Sequence, residues 1–439
     1  MTMQANSRRL PNAELFIPLT PVFPVDHNGG RNDFRNRVHS LPSMNFNPNF
    51  TPHSSHSKSH SHGQNSSSIN RKRRSYSSAQ PNGLIIVNDE PDNKKKKGPA
   101  NVIPADIDPK MSYFDTLSNE MMQYSAACEQ TQELLEKKLR LRSTLLGIFR
   151  REFPGASLHL VGSSCNGFAS QSSDADFCLM LTHWRHVDQR FEAVHYLRTL
   201  HRLLKHFPYI RELQVIRAKV PILKFKDSVS ACECDININN SVGIRNTHLL
   251  RTYSRVDKRV RPLIVVVKRW ANLQGINNAH QGTLSSYSLV LMVIHYLQAG
   301  TKIPVIPSLQ QQYPDYFRQD LNLDYLPMFE PADMIPCNRS ANKQTVGELF
   351  EGFLDYYANN FRWDFLAVSV RLGRATPKAL SPGAREKPIF IEEPFDLTNT
   401  ARSVHCQRNF DKIRFQFKKA HQLMKEKPPL AEIFSDHVY

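Results

Sequence analysis

Residues 161–168 read Val-Gly-Ser-Ser-Cys-Asn-Gly-Phe, and residues 172–177 read Ser-Ser-Asp-Ala-Asp-Phe. The apolar run before this stretch predicts a strand, and Gly162 lets the following turn approach a phosphate group closely. Asp174 and Asp176 enter a second strand two residues apart, so both carboxylates would point to the same side. Held this close, like charges indicate a cation between them, and Mg²⁺ binds carboxylates together with phosphates. Alone, the Gly-Ser pair is a common turn, and two acids also suit a solvated strand edge.

A third acid strengthens the metal interpretation. Residues 232–238 read Cys-Glu-Cys-Asp-Ile-Asn-Ile, so apolar and polar side chains alternate between two faces of a strand. Asp235 lies on the polar face, where it would complete a two-metal site and accept the proton of an attacking hydroxyl. Cys232 and Cys234 lack a second pair at zinc-ligand spacing, so we interpret them as buried thiols.

Hydrophobic periodicity divides the remainder of the chain into two kinds of structure. It predicts a helix over 134–149, then strands alternating with a helix, and mostly helices from residue 246 onward. No internal repeat is found. The predicted strands are 158–161, 177–181, 221–225 and 234–238; the further predicted helices are 191–207, 249–253, 261–273, 285–298 and 346–357.

The first 109 residues are rich in Ser, Asn, Pro and His and contain few apolar runs, which predicts a disordered tail. Two basic runs within it, 71–74 and 94–97, are each open to three interpretations: a nuclear-import signal, an RNA-contacting arm or a solvated charge run. Four histidines among serines favour a polar low-complexity tract over a metal site. They are His53, His56, His60 and His62.

Charge and composition limit the classes of partner. The net charge of +17 favours a polyanion such as nucleic acid, although a charge excess also serves solubility alone. No apolar run approaches the length of a membrane span, and residues 1–10 contain no apolar signal region. Seven cysteines without framework spacing indicate a reducing compartment, so we expect an intracellular protein.

The motif Gly162-Ser163, the pair Asp174 and Asp176, and the later Asp235 resemble the DNA polymerase β-type nucleotidyltransferase superfamily. More narrowly, residues 111–425 resemble the cytoplasmic poly(A) RNA polymerases of the germline-development-defective type and the related terminal uridylyltransferases. The blocks that carry the resemblance are 161–167, 216–225, 242–253, 261–270, 282–296 and 392–404.

The resemblance implies a role for each matching residue. Asp174, Asp176 and Asp235 would hold the divalent metals as the catalytic acids. The nucleotide-binding residues would be Gly162, Ser163, Lys268 and Ser286 for the phosphates, Asn246 with Thr247 for the ribose, and Tyr287 for stacking on the base.

Two of these residues also have an ordinary structural interpretation. Without the resemblance, Tyr287 would be a core tyrosine of an apolar helix and Lys268 a solvated helix lysine. The chain also departs from some relatives at Asn272, where they have a second phosphate-binding lysine. Arg269 is the candidate to compensate for that lysine.

The loop after the Pro-Phe pair bears on base choice. In related uridylyltransferases a histidine in this loop contacts uracil, whereas residues 393–402 contain none. His405 lies further along, inside the next predicted helix. We therefore expect ATP as the substrate, with Asn399, Thr400 and Arg402 forming the base-selecting loop.

Together these observations predict an α+β protein with a polymerase β-like nucleotidyltransferase domain, a mixed sheet with helices, and a mostly helical central domain. The predicted boundaries are 1–109 for the disordered tail, 110–153 for a helical segment packing with the central domain, 154–243 for the catalytic domain, and 244–439 for the central domain, whose poly(A)-polymerase-associated region spans about 345–400.

The expected reaction is template-independent addition of AMP from ATP to the 3′-hydroxyl of RNA, with Mg²⁺, or Mn²⁺ in its place. No RNA-recognition domain is evident, so RNA-binding adaptor proteins would select transcripts for a monomeric catalytic unit. We expect a cytoplasmic and additionally nuclear protein with no membrane partner. The alternatives are a terminal uridylyltransferase, an inactive RNA-binding scaffold, and a transferase acting on a small molecule or protein.

Overall fold

The structure is a computed structural model that describes residues 111–181, 187–189, 191–323, 326, 340–381 and 383–435. The predicted disordered tail, with its basic runs and its histidines, lies outside the described residues. The helices are α1 (Tyr113–Ala127), α2 (Gln132–Phe149), α3 (Ser163–Asn166), α4 (Glu192–Leu204), α5 (Ser241–Val256), α6 (Val260–Leu273), α7 (Ser286–His295), α8 (Leu309–Gln312), α9 (Val346–Asp355), α10 (Gln407–Met424) and α11 (Leu430–Phe434). The strands are β1 (Ser157–Val161), β2 (Ala175–Met180), β3 (Ile210–Ile216), β4 (Ile222–Asp227), β5 (Cys232–Ile238), β6 (Leu366–Ser369) and β7 (Arg374–Pro377).

The first five strands form a mixed sheet in the order β1-β2-β5-β4-β3. Strands β2 and β5 run parallel, and the other neighbouring pairs run antiparallel. Along β5 buried and partly exposed residues alternate, which confirms the predicted alternation of its two faces. Helices α2 and α4 pack against the sheet and share its hydrophobic core. The predicted mixed sheet with helices is confirmed.

The remaining long helices build a second hydrophobic core. Helix α7 is apolar around most of its circumference, and every residue from Ser288 to His295 is buried, as expected of a helix surrounded by others. The rings of Trp270 on α6 and Phe417 on α10 meet edge to face, 5.0 Å apart between centroids. A bridge between Val368 of β6 and Ile391 holds the loop that follows residue 391 beside α7.

The segment 110–153, predicted to pack with the central domain, does so only through its first helix. Helix α1 packs in the helical core against α6 and α9, but α2 packs against β1 and α4 of the sheet. The reason is the buried side of α2, where Leu141, Leu145 and Phe149 cover the sheet. The two helices therefore belong to different cores.

Strand β3 was not expected from the sequence. It is an edge strand, and its polar and apolar residues do not alternate regularly. The backbone is irregular as well, since the register with β4 shifts between Arg211 and Gln214 and Glu212 has a φ of +53°. The predicted strands and helices otherwise overlap the observed ones, although α5 extends well beyond the predicted 249–253.

Cys232 and Cys234 are buried free thiols, as are Cys165 and Cys178. None of the helices in the described ranges has the length and apolar character that a bilayer span requires.

Candidate active site

The sheet brings two of the predicted carboxylates side by side. Asp176 on β2 is the register partner of Asp235 on β5, and it also pairs with Val161 at the end of β1. Directly paired residues of neighbouring strands point to the same face. Asp174 lies immediately before β2, and its charge acts on both other aspartates. The structure therefore brings all three predicted acids together around the beginning of β2.

Electrostatics within this cluster oppose three simultaneous negative charges. Burial raises the pKa of Asp176 to about 7, and the carboxylates of Asp235 and Asp174 add to the shift. Burial likewise raises the pKa of Asp235, whereas the ammonium group of Lys224 opposes that effect. A cation placed among the three would remove the repulsion.

One oxygen of Asp235 is left without a hydrogen-bond donor. Lys224 Nζ lies 3.0 Å from Glu233 Oε2 but 3.7 Å from Asp235 Oδ1, too far for a hydrogen bond. Asp235 Oδ1 is buried and accepts no hydrogen bond from any residue that the structure describes. A buried acceptor in that state favours a cation as its partner.

The aspartates fit an open metal site better than a closed one. In the described ranges, no three His, Cys, Asp or Glu side chains enclose a metal ion by themselves. Mg²⁺ keeps several waters and takes phosphate oxygens as further ligands, so it needs only one or two carboxylates from the protein. The residues therefore suit a divalent cation shared with a triphosphate.

The turn after β1 passes directly beside the acid cluster. Gly162 has a φ of +69° and a ψ of −150°, and a Cβ there would collide with the Asp176 carboxylate. Its backbone N–H donates to Thr247 Oγ1 at 2.9 Å, and that hydroxyl donates to Gly243 O at 2.7 Å. Thr247 is only 2% exposed. The Thr247 hydroxyl therefore positions the turn, and a contact from Thr247 to the nucleotide stays a prediction.

A cleft of about 670 Å³ opens between the sheet and the helical core, within the size range of small-molecule sites. Eleven of the predicted site residues line it: Gly162, Ser163, Asp174, Asp176, Asn246, Thr247, Lys268, Ser286, Tyr287, Thr400 and Arg402. Lys219, Asn240 and Glu393 also line the cleft and were not among the predicted site residues.

Tyr287 lines the cleft, and a hydrogen bond from its hydroxyl fixes the position of its ring. Its hydroxyl donates to Glu393 Oε1 at 3.0 Å, and burial with the Glu393 charge raises the pKa of Tyr287 well above its ordinary value. Glu393 also accepts the backbone N–H groups of Phe395 and Asp396. Asn246 lies beside both side chains, and its own Oδ1 is a buried acceptor with no donor among the described residues. That oxygen suits a ribose hydroxyl.

The predicted phosphate ligands on α6 and α7 face the same cleft. Burial lowers the pKa of Lys268, although the negative charge of Asp176 acts against this, and its Nζ donates to Phe168 O at 3.4 Å. Ser286 is exposed at the first residue of α7 and donates to Asn277 Oδ1 at 3.1 Å. Each of these groups can reorient toward an incoming phosphate.

Arg269 does not replace the lysine that some relatives have at position 272. It is absent from the cleft lining and faces α1, where its charge opposes the burial that raises the pKa of Tyr124. Asn272 is exposed and also lies outside the lining. The structure therefore favours the alternative that triphosphate affinity is modestly lower, because helical spacing turns Arg269 away from the cleft that Lys268 lines.

The base-selecting loop is only partly as expected. Thr400 and Arg402 line the cleft, but Asn399 does not, since its Oδ1 accepts from Ile391 N and Ala401 N and its Nδ2 donates to Ile389 O. Asn399 shapes the loop rather than contacting a base. His405 precedes α10 instead of lying inside it; it is absent from the cleft lining and its Nδ1 lies 2.8 Å from Ser403 O.

Lys138 is a contributor that the sequence analysis missed. This lysine of α2 is fully buried behind the acid cluster, and its Nζ donates to Gln130 Oε1 (2.9 Å), Ser164 Oγ (2.9 Å) and Ser173 O (2.8 Å). It thereby ties α3 to the segment that carries Asp174. Its position on the apolar stripe of α2 was the available signal, because a lysine there must find partners when buried.

Comparison with known proteins identifies the family. The family described as "Poly(A) RNA polymerase, mitochondrial-like, central palm domain" matches residues 117–255, and that described as "Cid1 family poly A polymerase" matches residues 345–399. The structure entitled "structure of GLD-2/RNP-8 complex" is 39% identical, with a TM-score of 0.66, and the match covers 73% of this chain and 98% of that one. This chain belongs to the GLD2-type poly(A) RNA polymerases.

Curated relatives match most of this chain. Poly(A) RNA polymerase GLD2 of Danio rerio is 48% identical over 71% of this chain and 63% of its own length. The Homo sapiens protein of that name is 45% identical over 73% of this chain and 66% of its own length. The chain thus matches slightly under two thirds of each relative. A cytoplasmic RNA terminal U-transferase shares the fold at 27% identity, with a TM-score of 0.61 and coverage of 73% and 99%.

Proposed function

We propose that this chain is a polynucleotide adenylyltransferase that transfers AMP from ATP to the 3′-hydroxyl of RNA without a template. The observation that carries this proposal is the cleft itself, which joins Asp174 and Asp176, with Asp235 paired to Asp176, to a pocket with a stacking ring and a ribose acceptor. Relatives that are 45–48% identical and named poly(A) RNA polymerases support the choice of reaction.

Divalent cations would be held by Asp174, Asp176 and Asp235, and Mg²⁺ suits these oxygen ligands, with Mn²⁺ as a substitute. When bound, such ions activate the attacking hydroxyl and stabilise the leaving group of an in-line displacement. Asp235 is the acceptor for the proton of the RNA 3′-hydroxyl. The 3′ oxygen of the RNA then forms a bond to the α-phosphorus of ATP. At the same time the bond from the α-phosphorus to the oxygen that bridges it to the β-phosphorus breaks, and pyrophosphate leaves.

The nucleotide is oriented by groups that already face the cleft. Gly162 leaves room for the triphosphate beside Asp176, because any side chain there would fill that space. Lys268 supplies a positive charge for the terminal phosphates, and Asn246 Oδ1 accepts a ribose hydroxyl. The ring of Tyr287, held by Glu393, forms the platform for the base.

The proposed base is adenine. The loop that carries Thr400 and Arg402 into the cleft has no histidine, and the nearest one, His405, is not part of the cleft lining. Asn399, the remaining polar candidate, is fully engaged by the loop backbone. A single hydrogen-bonding side chain changes base preference by about 1–3 kcal/mol, so a loop without the uracil-contacting histidine favours ATP over UTP.

The proposed partner class is an adaptor protein that selects the RNA. Two similar structures are entitled as complexes, of GLD-2 with RNP-8 and of GLD-2 with GLD-3. The second of these is 38% identical, with a TM-score of 0.59 and coverage of 72% and 97%. The cytoplasm is the proposed compartment, since cytosolic conditions keep thiols reduced and all six described cysteines are free.

A nucleotide-choice assay tests the proposed function. Purified full-length chain is incubated with a labelled oligo(A) primer, Mg²⁺ and one nucleoside triphosphate at a time. We expect extension with ATP far above that with UTP, CTP or GTP, and release of one pyrophosphate for each added nucleotide. Preferential UTP incorporation would replace the proposal with a uridylyltransferase, and no extension with any nucleotide would overturn nucleotidyl transfer to RNA.

A further inference from the structure

A second groove lies next to the catalytic cleft, on the outer side of the sheet. It has a volume of about 400 Å³ and runs between the beginning of α4 and the turn that joins β3 to β4. Its lining consists of Phe191, Val194, Arg198, Arg217, Ala218 and Pro221.

The groove and the cleft share the β3–β4 turn as their common wall. Lys219 and Val220 of this turn line the catalytic cleft, whereas Arg217 and Pro221 on either side of them line the groove. An extended chain that leaves the cleft past Lys219 therefore meets the groove next. The groove would continue the path of an RNA primer that leaves the cleft on this side.

The chemistry of the lining matches a single-stranded nucleic acid. Phe191 is 76% exposed, an unusual exposure for a large apolar ring. Arg198 and Arg217 are exposed, and neither forms a salt bridge with a residue that the structure describes. Among the described residues that line the groove there is no carboxylate. An exposed ring beside unpaired arginines suits a stacked base with flanking phosphates, whereas an acidic peptide would leave the ring unused.

We propose that this groove binds the RNA primer upstream of its 3′ end, with a base stacked on Phe191 and phosphates contacted by Arg198 and Arg217. The proposal rests on the proposed function, because it takes RNA as the acceptor of the nucleotidyl group. It assigns the groove to primer affinity, separate from the residues that bind ATP. A primer too short to reach it gains nothing from these three side chains.

The test compares primer lengths in full-length chain carrying Phe191→Ala or the double change Arg198→Gln and Arg217→Gln. Oligo(A) of about 15 nucleotides reaches beyond the cleft, whereas oligo(A) of about 3 nucleotides stays within it. We expect each variant to raise the KM for the long primer by about tenfold, as for the loss of one stacked base or of its phosphate contacts. The KM for the short primer and the KM for ATP should stay unchanged.

Salt dependence adds a readout that a folding defect would not imitate. Loss of two phosphate contacts should reduce the slope of log affinity against log salt by about 1.4 for single-stranded RNA, measured by fluorescence anisotropy. The matched control is Phe365→Ala with Arg362→Gln, which removes another exposed ring and its arginine away from both cavities. This control should leave both KM values and the salt slope unchanged.

Other outcomes would overturn the proposal. Unchanged RNA affinity in both variants would exclude RNA and leave an acidic protein segment as the occupant of the groove. An equal rise in the KM for long and for short primers, at an unchanged melting temperature, would place these residues in the cleft instead. If the unmodified chain extended no primer, the proposed function would fail, yet the anisotropy measurement would still decide whether the groove binds RNA.

Discussion

Asp176 and Asp235 are register partners on the parallel strands β2 and β5, although 58 residues separate them in the sequence. Their carboxylates share one face of the sheet beside Asp174, and burial raises the pKa of each. The pairing concentrates negative charge beside the Gly162 turn, where a Cβ would collide with the Asp176 carboxylate. This strand pair is the structural basis of the proposed metal site.

Asp235→Asn should abolish most of the activity without destabilising the fold. The change removes the proton acceptor and a metal ligand but keeps the side-chain shape, so we expect kcat to fall by about 10²–10⁴-fold. Urea unfolding should show equal or greater stability, because one of three repelling carboxylates is gone.

The matched control for this prediction is Glu233→Gln, on the same strand and the same face as Asp235 but without Asp176 as its register partner. Its kcat should stay within about twofold of the parent, since Glu233 forms a partly exposed ion pair with Lys224 and has no catalytic role in the proposed reaction. An Asp235→Asn enzyme with parental kcat would contradict the catalytic assignment of Asp235.

Gly162→Ala should disturb both stability and nucleotide binding. The backbone angles at Gly162 are in a region nearly restricted to glycine, which costs another residue about 1–3 kcal/mol, and the new Cβ would displace the Asp176 carboxylate. Differential scanning fluorimetry and ATP titration should show a lower melting temperature and weaker ATP binding. Gly155→Ala is the control, because a Cβ there meets no atom within 4 Å; a neutral Gly162→Ala would refute the close-approach role.

Tyr287→Ala should weaken ATP binding more than Tyr287→Phe. Alanine removes the stacking ring, worth about 1–3 kcal/mol per base, whereas phenylalanine loses only the 3.0 Å hydrogen bond to Glu393. We therefore expect the KM for ATP to rise by about tenfold in the first variant and by a few-fold in the second. Tyr316→Ala, an exposed tyrosine outside the cleft lining, is the control. Equal KM values for all three variants would remove Tyr287 from the base platform.

Lys138→Met should destabilise the fold far more than the same change one residue earlier. Loss of the ammonium group leaves Gln130, Ser164 and the Ser173 carbonyl without their buried donor, at a cost of about 2–4 kcal/mol in the free energy of unfolding. Lys137→Met removes only an exposed pair with Glu133 and should change stability by less than about 1 kcal/mol. Comparable urea midpoints for the two variants would contradict the stabilising role of Lys138 as a buried hydrogen-bond donor.

Acid should destabilise the helical core through His295. Burial lowers the pKa of His295 to about 3, its Nδ1 lies 3.0 Å from the Tyr357 hydroxyl, and its Nε2 is buried without a partner among the described residues. An unfolded histidine titrates near pH 6.5, so its contribution is complete above that pH and is lost progressively as pH falls toward 3.

His295→Gln should therefore flatten the pH dependence of unfolding. Between pH 6.5 and 4 the parent should lose about 1.4 kcal/mol per pH unit through this group, and the variant should lack that part of the slope. Urea unfolding at several pH values measures it, and His280→Gln, at an exposed turn, should keep the parental slope. A parental slope in His295→Gln would assign the acid sensitivity to other groups, such as His248, whose pKa burial lowers to about 4.

Much of this site could be predicted from the sequence because its signals are local. Two acids at alternate residues, a glycine turn after an apolar run and the alternation along 232–238 each follow from the geometry of a strand. Helices α6, α7 and α9 of the second core were predicted for the same reason, since their hydrophobic pattern is visible without tertiary contacts. Residue identity and spacing by themselves determined the acids, the turn and the strands β1, β2 and β5 that carry them.

Only the tertiary structure decided which neighbours those residues meet. It pairs Asp176 with Asp235 and places Lys138 behind the acid cluster. It also engages the side chains of Asn399 and Thr247 in hydrogen bonds with the backbone. Such partners are distant in sequence, and a polar side chain takes whichever donor or acceptor remains unsatisfied when the chain packs. The order of strands and the burial of each polar group are properties of the packed molecule, and no local pattern of residues encodes them.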